Sequence, residues 1–376
     1  MITNTICMCY VMYAYRSSSS AMEYRYLGNS GLRVSVLSYG AWVTFGNQMS
    51  EDEAYECMLA AYQAGCNFFD NAEVYAEGRA ETMMGKVLAR MFKEGVKRSD
   101  VVITTKIYWG SPYYHSKQMK ANLLGLSRKH IVEGTKGSLE RFGLDYVDVI
   151  YAHRPDANVP MEEIVRAFNW VIEKGYALYW GTSEWSADQL RQAYEVASKL
   201  HLIGPITEQS QYNMLHRSKV EVEYAGLQRD YKLGNTIWSP LASGILTGKY
   251  SKDFKGQAGT RLADTGANSS YKWLGDNLRK GEVSLEVNSV DKIFEIVDAL
   301  KPIAERLGAS LAQLALAWTI YNKNVSTAIT GASKASQVVE NFQAIDIYRK
   351  LTPEIYAEIE KILDNAPKQP VNYAAI

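Results

Sequence analysis

The sequence predicts an α/β fold, a (β/α)8 TIM barrel with an N-terminal β-hairpin and a C-terminal helix. Eight β-rich runs alternate along the chain with stretches of helical periodicity. Strict alternation of strand and helix implies a parallel sheet, and eight units in one unbroken series favour closure into a barrel. An open doubly wound sheet is the alternative, but its glycine signature, Gly-x-Gly-x-x-Gly, does not follow the first barrel strand.

The regular pattern begins with a predicted hairpin. Two short strands at residues 24–27 and 32–34 flank the sequence Gly28-Asn29-Ser30-Gly31, which is typical of a tight turn. The barrel strands are predicted at residues 36–39, 67–70, 101–106, 147–151, 177–181, 207–209, 236–238 and 327–329.

The stretches between these strands have the apolar period of helices. Apolar residues recur at three- and four-residue spacing, as in Ala54, Met58 and Ala61. The preceding sequence, which starts at Ser50, is a capping box and marks a helix start. A final helix is predicted at residues 353–363.

Two long stretches interrupt the alternation. Residues 108–127, rich in Tyr, Lys and Asn, follow the third barrel strand, and residues 242–289 follow the seventh. Both segments would emerge at the carboxyl face of a barrel, where ligand-binding loops lie. We therefore expect them to shape the substrate pocket.

The barrel is expected to be one domain that spans residues 22–366. Residues 1–21 are predicted to form a disordered extension, and residues 367–376 a loose tail. The apolar stretch at residues 6–15 is too short to span a bilayer and has no preceding positive charge, which makes a membrane anchor the weaker alternative. Met22, which opens the regular pattern, offers an alternative start.

Composition excludes some functions and leaves others open. The chain has 376 residues with 47% apolar and 22% charged residues, as in an ordinary globular protein. Lys plus Arg equals Asp plus Glu at 41 each, so no net positive charge favours nucleic acid or anionic lipid. The spacing of the four cysteines predicts neither a disulfide framework nor a zinc site. We predict a cytoplasmic protein without a metal.

Four polar side chains lie at or beyond the ends of three consecutive predicted strands. Asp70 ends the second barrel strand, Lys106 ends the third, His153 follows the fourth, and Tyr75 lies five residues beyond Asp70. Each has a structural alternative, which is a helix cap for Asp70, a solvated strand end for Lys106, a core histidine for His153 and packing for Tyr75. Their convergence on one barrel mouth favours a site.

This set of groups is able to reduce a carbonyl without a metal. A tyrosine phenol has a pKa near ~10 and needs tuning before it donates a proton readily. A lysine cation stabilises the phenolate, and a carboxylate keeps that lysine charged. The histidine would orient the carbonyl oxygen.

The motifs around these residues resemble those of the aldo-keto reductases. The resemblance covers residues 24 to about 363 and is strongest to the branch that contains the voltage-gated potassium channel β-subunits. The tetrad motifs are residues 70–75 (DNAEVY), 104–106 (TTK) and 151–155 (YAHRP). The branch motifs are residues 40–46 (GAWVTFG), 125–130 (GLSRKH), 160–163 (PMEE) and 179–185 (YWGTSEW).

The resemblance implies NADPH as cofactor and assigns residues to it. Ser183 and Gln209 would bond the nicotinamide carboxamide, and Trp238 would stack on the nicotinamide ring. The loop that crosses the pyrophosphate would comprise Trp238, Ser239, Pro240, Leu241, Ala242 and Ser243, with Lys249 and Arg261 beyond it. The adenosine end would be held by Gly331, Ser333, Lys334, Gln337, Glu340 and Asn341, and further contacts are expected from Trp42, Gln48, Asp70 and Glu184.

The chain departs from its relatives at two of these positions. Glu184 stands where relatives often carry Asn or Arg beside the carboxamide. Gln337 stands where many reductases place an arginine on the 2′-phosphate, so NADPH preference would rest on Ser333, Lys334 and Arg261.

Other aromatic and polar positions have two interpretations. Trp42, Trp109 and Trp185 would either wall the substrate pocket or belong to the core. His153 agrees with typical reductases, because animal channel β-subunits carry asparagine there. With an ordinary pKa near ~6.5, His153 would share proton delivery with Tyr75, most visibly at mildly acid pH.

Three functions follow from the resemblance. The first is an enzyme that transfers hydride from NADPH to an aldehyde or ketone, with Tyr75 as general acid. The second is a redox-sensing β-subunit for a potassium channel, with weak reductase activity, and the third is a retained fold without activity, which the complete tetrad disfavours. A homotetramer is implied only by the resemblance.

Overall fold

The computed structural model describes residues 21–42, 44–46, 49–111, 120–250, 286–287 and 289–369. The predictions for residues 1–20, for the end of the tail and for Gln48 and Arg261 lie outside the described residues. The same holds for the middle of each irregular segment.

Eight parallel strands close into a barrel, as predicted, and an antiparallel hairpin precedes it. The hairpin strands are β1 (Tyr24–Tyr26) and β2 (Arg33–Ser35). The barrel strands are β3 (Leu37–Gly40), β4 (Phe68–Asp70), β5 (Val102–Ile107), β6 (Val147–Ala152), β7 (Ala177–Ser183), β8 (Thr207–Gln209), β9 (Gly234–Ile237) and β10 (Val325–Thr330). They pair in chain order, and β10 closes the barrel against β3.

Helices surround the barrel, and most of them follow a strand. The described helices are α1 (Glu51–Gln63), α2 (Arg79–Lys93), α3 (Arg128–Phe142), α4 (Met161–Glu173), α5 (Ala187–Lys199), α6 (Ala225–Tyr231), α7 (Val290–Leu307), α8 (Leu311–Tyr321), α9 (Ala335–Phe342), α10 (Ala344–Lys350) and α11 (Pro353–Leu363). The predicted capping box at Ser50 is present, and the predicted final helix has the predicted bounds. No helix in these ranges has the length and apolar character needed to cross a membrane.

The hairpin covers the amino-terminal end of the barrel. Arg25 of β1 donates to the carbonyl oxygens of Ile320 in α8 and of Val325, the first residue of β10. Gly28 in the turn has φ +58°, and a Cβ there would lie 1.8 Å from the Ile206 carbonyl oxygen. Because backbone fills this space, only glycine fits. The hairpin thus lies across the amino-terminal ends of the strands, opposite the ends that carry the predicted site.

One strand begins earlier than its sequence predicts. Strand β9 starts at Gly234 and ends at Ile237, whereas the prediction spans residues 236–238. Glycine and asparagine have low strand propensity, so Gly234 and Asn235 carry no strand signal. Gly234 is nevertheless required, because a Cβ there would lie 2.5 Å from the backbone nitrogen of Gly28.

Candidate active site

Lys106 lies at the centre of the predicted tetrad, near the carboxyl end of β5. Its side chain is completely buried, which rules out the alternative of a solvated strand end. Its Nζ donates to Asp70 Oδ2 at 2.6 Å, to the Asn71 carbonyl oxygen at 2.7 Å and to Tyr75 Oη at 3.2 Å. An ammonium group has three protons, so these three acceptors use all of them. Burial lowers the pKa of Lys106, but its interactions with Asp70 and Tyr75 together outweigh burial, so the pKa is raised and the cation persists.

Asp70 connects this cation to the next part of the site. Its Oδ1 accepts from Thr104 Oγ1 at 2.9 Å and from Gln209 Nε2 at 3.1 Å. The carboxylate therefore bonds to side chains and does not cap a helix. Because an ionised carboxylate only accepts, the Gln209 amide must present its NH2 to Asp70 and keep its Oε1 for another donor.

Tyr75 lies in the loop beyond β4, and this loop is tightly wound. It begins a short 3-10 turn, Tyr75–Gly78, in which Ala76 and Glu77 have φ values of 49° and 57°. Burial raises the pKa of the phenol above its ordinary value, although the charge of Lys106 opposes this shift. The phenol is therefore protonated at neutral pH.

The tetrad is completed by His153, which follows β6 and is buried. Its ring lies edge-on to the Tyr75 ring, with centroids 5.9 Å apart. Its Nδ1 has no hydrogen-bond partner in the part of the chain that the structure describes, so it is not a core histidine tied to backbone. Burial, with the charges of Arg154 and Lys106, holds its pKa well below 6.5. The expectation of an imidazolium at mildly acid pH is therefore wrong.

Aromatic rings line one side of the tetrad. The Trp42 ring lies 6.4 Å from that of Tyr75 and 6.1 Å from that of Trp238, centroid to centroid. Trp42 is 38% exposed, which suits a pocket wall, and Trp109 is half-buried. Trp185 is completely buried and belongs to the core, which excludes it as a wall.

The residues predicted at the nicotinamide lie at the ends of adjacent strands. Ser183 ends β7 and donates to the Gln209 carbonyl oxygen at 2.9 Å, and Gln209 ends β8. Trp238 follows β9 and pairs with Gln211 through an isolated bridge. Glu184 follows Ser183, and its carboxylate accepts from Trp238 Nε1 at 2.8 Å.

The predicted pyrophosphate loop has an unusual backbone. Ser239, Ala242 and Ser243 have φ values of 56°, 48° and 57°, and Gly244 has φ 95°. The loop continues into a 3-10 turn, Ala242–Thr247, followed by the exposed Lys249. Left-handed residues in succession are costly and occur where surrounding structure or a ligand requires them. Pro240 and Leu241 lie within this turn sequence.

The predicted adenosine segment lies between β10 and α9. The Gln337 side chain accepts from the backbone nitrogen of Ser333 at 3.0 Å, so it bonds to its own turn. Gly331, Ser333 and Lys334 are exposed, and α9 begins directly after Lys334, so its amino terminus is available to an anion. Glu340 is exposed near the end of the helix, and Asn341 is buried.

The sequence gives no direct sign of several other residues near the site. Glu73 Oε1 accepts from the backbone nitrogens of Tyr108 and Gly110 at 2.7 and 2.9 Å, which fixes the start of the irregular segment after β5. His130 Nδ1 donates to the Gly125 carbonyl oxygen at 2.7 Å, and this bond fixes the end of the same irregular segment. Nε2 of the same histidine lies 3.4 Å from Glu73 Oε2. We call Glu73 and His130 the loop clamp.

Arg154 is a further cation beside the tetrad. Its Nη1 donates to the His153 carbonyl oxygen and, at 3.2 Å, to Ser183 Oγ. Its position directly after His153 is the only sequence signal that it lies at the barrel mouth. Within the described ranges no cluster of three or more potential metal ligands occurs.

Comparison with known families identifies the class of protein. The model of the aldo/keto reductase family matches residues 36–364, so the chain belongs to the aldo/keto reductase family, an oxidoreductase family that generally uses NAD(P)H. A protein of Oryza sativa subsp. japonica named probable voltage-gated potassium channel subunit beta is 52% identical over 353 residues, which cover 94% of this chain and all of that protein.

Two further relatives have similar names. A probable voltage-gated potassium channel subunit beta of Arabidopsis thaliana is 51% identical over 353 residues, with the same shares covered. A putative voltage-gated potassium channel subunit beta of Schizosaccharomyces pombe is 46% identical over 347 residues, which cover 92% of this chain and 94% of that protein. The expected resemblance to this branch is confirmed.

Proposed function

We propose that this chain is an NADPH-dependent reductase of aldehydes or ketones, with Tyr75 as the general acid. The observation that carries the proposal is the Lys106 ammonium, which donates simultaneously to Asp70 and Tyr75 in a buried site. An ammonium cannot accept a hydrogen bond, so the phenol oxygen accepts from it. The phenol's own proton therefore points away from Lys106.

Proton delivery follows from this arrangement. When bound, NADPH supplies the hydride that reaches the carbonyl carbon. Tyr75 donates its proton to the carbonyl oxygen, and the adjacent Lys106 cation stabilises the phenolate that remains. His153, neutral and edge-on to Tyr75, has one ring nitrogen to orient the same oxygen.

The chemistry of the site residues suits the nicotinamide end of the cofactor. Gln209 keeps a free amide oxygen for a carboxamide NH2, because Asp70 holds its NH2. Ser183 lies on the neighbouring strand, and the half-buried Trp238 ring offers a flat surface for stacking. Glu184 lies beside this group, and its carboxylate accepts from Trp238 Nε1.

The phosphate end is proposed from backbone conformation and charge. The turn from Ser239 to Ser243, which contains three left-handed residues, would cross the pyrophosphate with Lys249 beyond it. The amino terminus of α9 would receive the 2′-phosphate beside Ser333 and Lys334. Gln48 and Arg261 are proposed contacts on the resemblance alone. We favour NADPH over NADH because Lys334 precedes this helix.

A second candidate function comes from the relatives. All three are named as voltage-gated potassium channel β-subunits, and the alignments cover 94% or more of each of them. We therefore propose that this chain also associates with a channel α-subunit, as a cytoplasmic homotetramer whose barrel is formed by residues 22–366. Light scattering of the purified chain tests the tetramer, and co-purification with a co-expressed potassium channel α-subunit tests the association.

The reductase proposal is tested by Tyr75→Phe. We expect NADPH binding to be retained and NADPH oxidation with a simple aldehyde to fall by roughly 10² to 10⁴, the range for loss of a positioned general acid. Tyr62→Phe, which removes a phenol from the outer surface of α1, is the matched control and should keep parental turnover. Equal turnover in Tyr75→Phe and the parent would refute Tyr75 as the general acid. NADPH binding without turnover in the parent would favour the role as a channel subunit.

A further inference from the structure

The Glu184 side chain is placed between three donors from different parts of the fold. Its Oε1 accepts from Trp238 Nε1 at 2.8 Å and from the Gln211 backbone nitrogen at 2.7 Å, and its Oε2 accepts from Lys219 Nζ at 2.7 Å. Each of these bonds is to a carboxylate and is therefore stronger than a bond between neutral groups. The side chain is 21% exposed, so solvent weakens these bonds only in part.

The backbone on both sides of this contact is held in uncommon conformations. Glu184 has φ 59°, and its backbone nitrogen donates to the Gln209 carbonyl oxygen at 3.2 Å. Lys219 begins a π-helix, Lys219–Glu223, a rare conformation that is frequent at functional sites. A left-handed residue such as Glu184 persists only when its surroundings fix it. Here Glu184 and the start of the π-helix direct opposite charges to one point.

The contact with Glu184 helps to fix the orientation of the Trp238 ring. An indole nitrogen only donates, and Glu184 gives it a charged acceptor on one edge. The Trp42 ring contacts the same indole nearly perpendicularly, at 88°. These two contacts fix the plane of the indole before any ligand arrives, which reduces the ordering cost of stacking on it.

We propose that Glu184, neutralised by Lys219, is a positioning residue that acts on the nicotinamide through the Trp238 indole and does not contact the cofactor itself. This inference rests on the proposed function, because it takes Trp238 as the nicotinamide-stacking ring. It explains why a carboxylate is compatible with this position, since its charge is taken up by protein donors.

The bond between Glu184 and the Trp238 indole is testable without cofactor. In protein with ¹⁵N-labelled tryptophan, the Trp238 indole N–H signal is assigned by its loss in Trp238→Phe. We expect Glu184→Ala to move this signal upfield, because the indole loses its charged acceptor, and Glu184→Gln to restore part of the shift through its amide oxygen. An unmoved signal in Glu184→Ala would overturn the inference.

Its consequence for the cofactor is tested by a double-mutant cycle. We expect Glu184→Ala to weaken NADPH binding about tenfold in the parent, the size of one lost charge-assisted bond. In a Trp238→Phe background the same substitution should change affinity less than about twofold, because phenylalanine offers no N–H to orient. Glu162→Ala, which removes an exposed carboxylate from α4, controls for loss of charge.

The outcomes separate this inference from the proposed function. If Glu184→Ala has the same effect in both backgrounds, Glu184 contacts the cofactor directly and the inference is wrong, while NADPH binding by the parent still supports the reductase. If the parent binds no NADPH, the proposed function fails, and the positioning role fails with it even where the indole signal moves as expected.

Discussion

The two ends of the proposed cofactor site differ in how much of their hydrogen bonding is already made. Around Lys106 the polar groups are buried and bonded to one another, and all three ammonium protons have partners. At the segment from Gly331 to Gln337 the groups are mostly exposed, and the Gln337 side chain bonds to Ser333 in its own turn.

This difference assigns catalysis to the end around Lys106 and cofactor selectivity to the other end. A buried ion pair costs desolvation and persists only with good geometry, so the Asp70–Lys106 pair has one arrangement and is ready before substrate arrives. An exposed lysine is a hydrated point charge that acts only when an anion is near. Substitutions at the first end should therefore affect rate, and those at the second should affect affinity for one cofactor over the other.

Lys106→Met should produce the largest effect. It removes the cation that lowers the cost of the Tyr75 phenolate, so we expect turnover to fall by at least roughly 10² to 10⁴, as for loss of the acid itself. The pH profile of turnover should change as well, because Lys106 opposes the rise in the pKa of Tyr75. Steady-state NADPH oxidation across a pH series measures both.

The control for Lys106→Met addresses folding. Removing the lysine leaves the Asp70 carboxylate buried without its cation, which is destabilising in itself. The double variant Asp70→Asn, Lys106→Met removes both charges and should recover thermal stability but not turnover. A pH profile identical to that of the parent would show that Lys106 does not tune the phenol.

Lys334→Glu tests the other end. A charge-assisted contact to the 2′-phosphate contributes on the order of 1.5 to 3 kcal/mol, so NADPH affinity should fall about 10- to 100-fold. NADH lacks that phosphate and should bind almost as it does to the parent. Titration of both cofactors into both proteins measures this, and equal losses would move the selectivity to Arg261.

His153→Asn should have a smaller effect, because it replaces one orienting group with another. We expect turnover to fall about tenfold through loss of one good hydrogen bond, with cofactor affinity unchanged. The pKa of His153 is held well below 6.5, so the ring stays neutral. The ratio of the turnover of His153→Asn to that of the parent should therefore be constant from mildly acid to neutral pH. A ratio that changes through this range would mean that imidazolium takes part.

Much of the fold follows from the sequence because strand and helix periodicities are local signals. The order of the tetrad also follows, since parallel strands bring their carboxyl ends to one mouth, and Asp70, Lys106 and His153 lie at or just beyond those ends. The sequence could not separate Trp185 from Trp42, because the same residue type suits a core and a pocket wall. Burial decides between them, and it depends on the packing of the whole barrel.

The sequence also could not predict which residues form hydrogen bonds with distant parts of the chain. Glu73 has the spacing of a capping box with Asp70, yet it bonds to the loop after β5. Glu184 bonds to Trp238, which is 54 residues away in the chain. Contacts of this kind depend on which elements are neighbours and on side-chain direction, neither of which has a local signature.

The loop clamp gives the smallest expected effect and depends on pH. The Gly125 carbonyl oxygen only accepts, so His130 Nδ1 carries a proton, and the Glu73 carboxylate beside Nε2 favours a second one. Burial lowers the pKa of His130, but the hydrogen bond and charge of Glu73 outweigh it, so the pKa lies above 6.5. A raised pKa in the folded state stabilises it fully below pH 6.5, and the contribution is lost as pH rises through the folded value.

We therefore expect His130→Gln to lower the melting temperature most at mildly acid pH. If the pair contributes on the order of 1 kcal/mol, the difference from the parent should be about 1–2 °C there and should shrink towards alkaline pH, where the parent has lost its imidazolium. His201→Asn, at an exposed position after α5, is the control and should show no such trend. A difference that stays constant across the series would mean that His130 acts through its bond to Gly125 alone, which does not depend on the second proton.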